Sequence, residues 1–109
     1  MPASGEEFVR VGEPGRPFFQ LRPGEQGISV FDLNAVDPPL TEDELLQSFR
    51  PGSAVVIKST DDITAAGLTI VPTQGAEPLP LRHRDAHAEI RPTPGMSRPQ
   101  FKQALRSLE

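Results

Sequence analysis

The stretch Leu81–Pro92, LRHRDAHAEIRP, holds both histidines of the chain and alternates polar with apolar residues in its second half. Successive side chains of a strand point to opposite faces. A strand over residues 86–91 therefore places His87, Glu89 and Arg91 on one face and the alanine and isoleucine between them on the other. A solvated polar strand face is the ordinary interpretation. An imidazole, a carboxylate and a guanidinium side by side also suit a binding or catalytic site, so both interpretations stay open here.

Length and composition indicate one domain. A chain of 109 residues lies near the commonest domain size and can bury a core of its own. There is no cysteine, which excludes disulfides, thiolate metal sites and a thiol nucleophile. No apolar run approaches the roughly 18 residues of a membrane helix, and the first residues lack a signal-peptide pattern. We therefore predict a soluble, cytoplasmic protein.

Charge is unevenly distributed along the chain. Residues 1–81 carry 5 basic and 12 acidic side chains, a balance of −7, whereas residues 82–109 carry 6 basic and 3 acidic ones, a balance of +3. The basic end suits an anion such as a phosphate. The overall charge of −4 and the absence of Trp and Tyr disfavour nucleic acid as a partner.

Period-two alternation and β-branched runs predict short strands, over residues 6–11, 18–22, 28–31, 53–58, 68–71 and 86–91. In the first, Val9 and Val11 are expected on one face and Phe8 and Arg10 on the other. In the third, Ser29 shares a face with the phenylalanine two residues later. The strand at 53–58 is uniformly apolar at 54–57, which is typical of a central strand.

Two helices are predicted from capping patterns. Thr41 begins one, with Glu44 completing a capping box, and Pro51-Gly52 ends it. Ser97 begins the other, whose apolar residues recur with helical spacing at 101, 104, 105 and 108. Residues 61–66 are expected to form a single helical turn. Short strands and helices that do not alternate as βαβ units predict an α+β domain with a mostly antiparallel sheet.

The residue pattern alone offers few candidates for chemistry. It contains no phosphate-binding glycine loop, nucleophile elbow or zincin motif. His83 and His87 lie four residues apart but lack a third ligand, so no metal site is predicted. Arg10, Ser29 and Glu89 complete the set of strand side chains that could act chemically. For each of them taken singly, a solvated or close-packed role is the ordinary alternative.

Two short motifs resemble a known family. Gly27–Asp32, GISVFD, resembles the Gly-Thr-Ser-Val-Phe-Asp segment of small bacterial toxins delivered by type VI secretion. His87–Pro92, HAEIRP, followed by Met96, is similar to the His-x-x-Ile-x-Pro…Met ending of that family. An arginine in the first strand, a serine in a core strand and a late acid also match the layout of ADP-ribosyltransferases. The middle of the chain carries no matching motif.

The resemblance implies an ADP-ribosyltransferase-like fold with a cleft between two small sheets, and NAD as substrate. Arg10 would contact a phosphate of NAD, and Ser29 and Phe31 would contact the rest of the cofactor, with the serine near the nicotinamide ribose. Glu89 would stabilise the sugar cation that forms as nicotinamide leaves, and His87 would position or move a proton. Glu89 and His87 are thus the implied catalytic residues.

The functional prediction is an NAD-dependent ADP-ribosyltransferase-like toxin that modifies an unknown target or hydrolyses NAD. Such a toxin needs a cognate antitoxin or immunity protein, and it acts in the cytoplasm, including that of a cell into which it is delivered. One alternative is a small metal-free ribonuclease toxin in which His83 and His87 act as base and acid. The other is a non-catalytic protein-binding domain, such as an antitoxin, an immunity protein or a scaffold.

Overall fold

Five strands form one sheet in a computed structural model of the chain, which describes residues 7–75 and 79–109. The strands are β1 (Glu7–Gly12), β2 (Ile28–Phe31), β3 (Ala54–Ser59), β4 (Leu68–Pro72) and β5 (His87–Pro92). Their order in the sheet is β3-β1-β2-β5-β4, and neighbouring strands are antiparallel throughout. Glu6 and residues 76–78, which fall in the first predicted strand and a predicted loop, lie outside the described residues.

Within the described residues, four α-helices accompany the sheet: α1 (Glu42–Leu46), α2 (Thr60–Ala65), α3 (Leu81–Ala86) and α4 (Arg98–Arg106). A short 3-10 helix (Leu33–Ala35) follows β2. The predicted α+β class and antiparallel sheet are confirmed. Two helices were predicted, and α2 lies where a single helical turn was expected at residues 61–66. Helix α3 was missed, because its six residues are too few to carry a periodic apolar stripe.

The predicted cap residues begin both helices, but only α4 has a full capping box, because the Glu44 carboxylate of α1 accepts from Nε of Arg82 at 3.3 Å. The Thr41 hydroxyl accepts the backbone N–H of Glu44 at 3.0 Å at the start of α1. Ser97 and Gln100 form a reciprocal capping box at the start of α4. These caps satisfy N–H groups that have no partner within the helix, which explains why both helix starts could be located from sequence.

One face of the sheet, which we call the α4 face, carries the larger core. Its side chains come from alternate strand positions, including Phe8, Val30 and Ile90, and pack with Phe101 and Leu105 of α4. Ile90 and Leu105 are 0% exposed. The predicted alternation in β1, β2 and β5 is therefore confirmed, because Phe8 of β1, Ile28 and Val30 of β2, and Ala88 and Ile90 of β5 enter this core.

The opposite face, which we call the α1 face, carries a second core over part of its area. Val9, Val11 and Phe31 of the sheet pack there with Leu45 of α1 and Ala86 of α3. The remaining part of this face bears the polar alternates of β2 and β5. Helices α1 and α3 thus cover one end of the face and border the polar residues at the other.

The junction between β1 and β2 is the narrowest in the sheet. These strands share a single register pair, Val9↔Phe31, whereas β2 and β5 share four pairs and β1 and β3 share six. The sheet therefore consists of two halves, β3-β1 and β2-β5-β4, joined at one point. The described residues form one five-stranded sheet, not the two small sheets with a cleft between them that the family resemblance implied.

Residues 18–22 form no strand, contrary to the prediction. The backbone N–H groups of Phe18 and Phe19 donate to the side-chain carboxylate of Glu109 at 2.9 and 2.6 Å, not to a neighbouring strand. Phe19 and Leu21 are buried in the α4-face core. The segment is apolar because it covers that core. Its composition therefore resembled that of a strand, although it pairs with no strand.

The predicted central position of residues 53–58 is also wrong, because β3 is an edge strand. Val55 packs on the α1-face core and Val56 on the α4-face core, while Ile57 is 44% exposed. Both faces of this edge strand are thus partly covered, which accounts for its uniform apolar sequence.

No helix within the described residues is long and apolar enough to cross a membrane.

Replacing Leu105 by alanine tests the α4-face core. Leu105→Ala should lower the free energy of unfolding by about 2–5 kcal/mol, because it removes a fully buried side chain and leaves a cavity. Urea denaturation followed by circular dichroism measures the change. The control Lys102→Ala, on the exposed side of the same helix, should change it by no more than about 0.5 kcal/mol. Equal effects of the two substitutions would contradict this packing.

Candidate functional site

The site begins with the direct pairing of Ser29 and Glu89 on the central strands. Ser29↔Glu89 and Phe31↔His87 are register partners of β2 and β5. All four side chains therefore lie on the α1 face. The structure brings together the predicted serine, phenylalanine, histidine and acid, although the sequence alone gave no pairing between the two strands.

The His87 ring is held on three sides. Its centroid lies 5.5 Å from that of Phe31, with the rings at 74° to each other. Nδ1 lies 3.1 Å from the backbone oxygen of Thr73 and 3.0 Å from its hydroxyl oxygen. Nε2 lies 3.0 Å from the Ser29 hydroxyl oxygen. These contacts fix the orientation of the imidazole and point Nε2 at the serine.

The loop after β4 fits closely around the histidine. A Cβ atom added to Gly75 would lie 3.3 Å from both Cβ and Cγ of His87, a tight contact. The N–H of Gly75 donates to the backbone oxygen of Arg84 at 3.0 Å, and the N–H of Thr73 donates to that of His87 at 3.3 Å. A glycine allows the loop to approach the ring this closely.

Glu89 is tied to its neighbour Arg91. Nε and Nη2 of the guanidinium both donate to Oε1 of Glu89, at 2.8 and 2.7 Å. The carboxylate also faces Gly27, where an added Cβ would lie 3.1 Å from Oε1. Its side chain is 26% exposed. An anionic group is therefore held at a defined position beside Ser29 and remains in contact with solvent.

Arg10 occupies a different environment from the one predicted. Its Nε donates to the backbone oxygen of Phe18 at 2.7 Å, and its Nη1 donates to that of Ser29 at 3.0 Å. Desolvation lowers the pKa of the guanidinium from its ordinary value, outweighing the attraction of the nearby Glu25 carboxylate. Arg10 thus supports the backbone at the β1–β2 junction, and its contact with a phosphate stays a prediction.

A cavity of about 460 Å³ adjoins His87 where α3 meets β5. Phe8, Ile70 and Ala88 of the α4 face give it apolar walls, and Asp32 and Asp85 also line it, so the cavity lies on the opposite face of the sheet from the side chains of Ser29 and Glu89. Oδ1 of Asp85 accepts the side-chain amide of Gln74 at 3.0 Å. Ligand pockets commonly have volumes of about 300–1,000 Å³ and combine apolar walls with a few polar groups, so this cavity could hold part of a small molecule.

His83 does not join the site. It lies in α3, is 4% exposed, and its Nε2 donates to the backbone oxygen of Glu44 at 3.1 Å. A helix ends between His83 and His87, so the two histidines belong to separate elements. Within residues 7–75 and 79–109, no three His, Asp or Glu side chains are grouped to hold a metal ion.

Thr73 and Gly75 were missed from the sequence. They follow β4 in a loop with no recognisable motif, and their importance comes from contact with a histidine 14 and 12 residues later. The one available signal was a glycine shortly after a strand, which marks many turns. Nothing in that signal points to the tautomer of a distant imidazole.

Comparisons with protein-family models, with curated proteins and with solved structures found no match. The toxin family, the ADP-ribosyltransferase-like fold and the use of NAD therefore stay predictions.

Replacing Arg10 should lower stability. Arg10→Ala removes the donors of two backbone carbonyls at the β1–β2 junction, so we expect the free energy of unfolding to fall by about 1.5–3 kcal/mol. Urea denaturation measures the change. Arg16→Ala is the matched control, because the Arg16 side chain is 77% exposed and surface ion pairs contribute about 0–1 kcal/mol. If the two variants were equally stable, the supporting role of Arg10 would be incorrect.

Proposed function

We propose that the chain is an ADP-ribosyltransferase-like bacterial toxin that cleaves NAD and either transfers ADP-ribose to a target or hydrolyses NAD. The observation that carries the proposal is the group formed by Ser29, His87 and Glu89. These residues belong to both sequence motifs that resemble the toxin family, and they lie on one face of two paired strands. Two motifs separated by more than fifty residues thus form one site.

The chemistry of NAD cleavage suits these groups. The bond between the ribose and nicotinamide breaks, nicotinamide leaves as a neutral base, and positive charge develops on the sugar. The Glu89 carboxylate, held by Arg91, would stabilise that charge. Ser29 would bond to the ribose, and Nε2 of His87 would take the proton of the attacking group.

Charge supports a location for the phosphates of the substrate. Arg91 lies on the same strand face as the reacting groups and is the better candidate to meet a phosphate, because a guanidinium suits phosphate oxygens. Arg10, by contrast, would act by holding the backbone of Ser29.

The test is consumption of NAD by the purified protein. Wild-type protein should consume NAD, and His87→Gln and Glu89→Gln should reduce the rate by about 10²-fold or more. Lys102→Ala, on the exposed side of α4, should keep the wild-type rate. Melting temperatures of all variants show that each one is folded.

A bacterial host adds the biological readout. Expression of the wild type should arrest growth, and the same two substitutions should relieve the arrest while the protein level is unchanged. Arg10→Ala is unsuitable for this purpose, because its loss of stability alone could relieve toxicity. Wild-type protein that neither consumes NAD nor attaches ADP-ribose to any protein of the host lysate would refute the proposal.

The geometry weighs against the ribonuclease alternative. Its two histidines would have to face one substrate, but His83 is buried and bonded to the backbone of α1, whereas His87 points at Ser29. RNA cleavage that is lost in His87→Gln but retained in His83→Gln would be difficult to explain with that pair acting as base and acid. The same NAD assay, run with RNA as substrate, distinguishes the two functions.

A protein-binding function has one observation in its favour. The edge strand β3 carries Ile57, which is 44% exposed, and an unpaired strand edge can accept a strand from a partner. We propose that this edge and the neighbouring α1 face receive the antitoxin or immunity protein. If the chain has no catalytic activity, a tight complex that Ile57→Lys abolishes would make binding its whole function.

A further inference from the structure

The His87 tautomer can be assigned from its contacts. We assign the proton to Nδ1, because the backbone oxygen of Thr73, 3.1 Å away, can only accept a hydrogen bond, whereas the Thr73 hydroxyl, 3.0 Å away, can accept as well as donate. In the neutral ring Nε2 then has no proton and must accept. The Ser29 hydroxyl, 3.0 Å away, is therefore the donor. Thr73 sets the tautomer through its main chain.

This arrangement contains the parts of an activated nucleophile. A hydroxyl donates to a histidine base, and the other nitrogen of the base is held by a third group, which is the arrangement that activates serine in many enzymes. Phe31 packs against the ring and limits its rotation. Ser29 and His87 are both only half-buried, so a small electrophile can reach the hydroxyl oxygen.

We infer that Ser29 is a nucleophile for which His87 is the base, and that it accepts the ADP-ribosyl group of NAD on its own hydroxyl. The second part rests on the proposed function. The step is balanced within the site. The Ser29 Oγ–C1 bond to the ribose forms as the bond from C1 to nicotinamide breaks, nicotinamide leaves with the electron pair, and the serine proton passes to Nε2 of His87. The product is a chain modified on one of its own serines.

The carboxylate beside the serine supports this step. Glu89 is the register partner of Ser29, so a sugar placed for attack by the serine has an anion next to it as its positive charge develops. The serines that flank α4, Ser97 and Ser107, have other hydrogen-bond partners. Ser107, for example, donates to the backbone oxygen of Ala104 at 2.6 Å, with no histidine as its base.

Two reagents test the two parts separately. The purified chain is incubated either with a fluorophosphonate or with NAD, and intact mass and peptide mapping then locate the adduct. The fluorophosphonate tests, without NAD, whether Ser29 is a nucleophile. The serine oxygen bonds to phosphorus, fluoride leaves, and His87 takes the proton. NAD tests whether Ser29 accepts the ADP-ribosyl group, and the consumption of NAD is recorded in the same sample.

We expect both reagents to modify Ser29, and Ser29→Ala to abolish both adducts. His87→Gln should slow labelling by about 10²-fold or more, because an amide can bond to the serine hydroxyl but cannot act as a base. Ser107→Ala is the matched control and should behave as the wild type.

Each result decides one part. No fluorophosphonate adduct on Ser29, or labelling at the same rate in His87→Gln, would overturn the nucleophile. NAD consumed without an adduct on Ser29 would overturn self-modification and leave the proposed function standing. A fluorophosphonate adduct on Ser29 without any consumption of NAD would support the nucleophile and refute the proposed function.

Discussion

The antiparallel pairing of β2 with β5 is the constraint on which the rest of the molecule depends. Its register places Ile28 opposite Ile90 on the α4 face and Ser29 opposite Glu89 on the α1 face. A shift by one residue would exchange the two faces and put the polar pair into the core. The burial of both isoleucines, at 1% and 0% exposure, therefore fixes the geometry of the site as well as the core.

Next to this strand pair, Arg10 bonds to backbone carbonyls at the narrow junction of β1 and β2. Only one register pair joins β1 to β2, so backbone carbonyls at the junction lack strand partners. A buried carbonyl without a donor is costly, and the Arg10 guanidinium supplies donors to Ser29 and to Phe18 of the segment that crosses the core. The same residue thus stabilises the fold and holds the backbone of the candidate nucleophile.

The residues of the site come from three separate segments of the chain. β2 brings Ser29, β5 brings His87 and Glu89, and the loop after β4 brings the Thr73 carbonyl. Its base has a defined tautomer and its carboxylate a defined partner, Arg91. Groups held in this way need little rearrangement when charge develops, which is what electrostatic stabilisation requires. In the proposed cleavage of NAD, these groups would surround a sugar that becomes cationic.

The sequence by itself determined the local features. Alternation assigned Ser29 and Glu89 to polar strand faces, and the cap residues located the starts of α1 and α4, because both signals depend on residues two to four positions apart. Only the tertiary structure decided that the polar faces of β2 and β5 lie side by side on the same face of the sheet, since strand pairing depends on core contacts between residues far apart in sequence. The tertiary structure likewise placed His83 in helix α3, whose N-cap residue Pro80 has no side-chain cap that the sequence could have shown. It also placed the Arg10 guanidinium against the backbone carbonyls of Phe18 and Ser29. The contact of Thr73 with His87 joins two strand ends, so no local pattern could contain it.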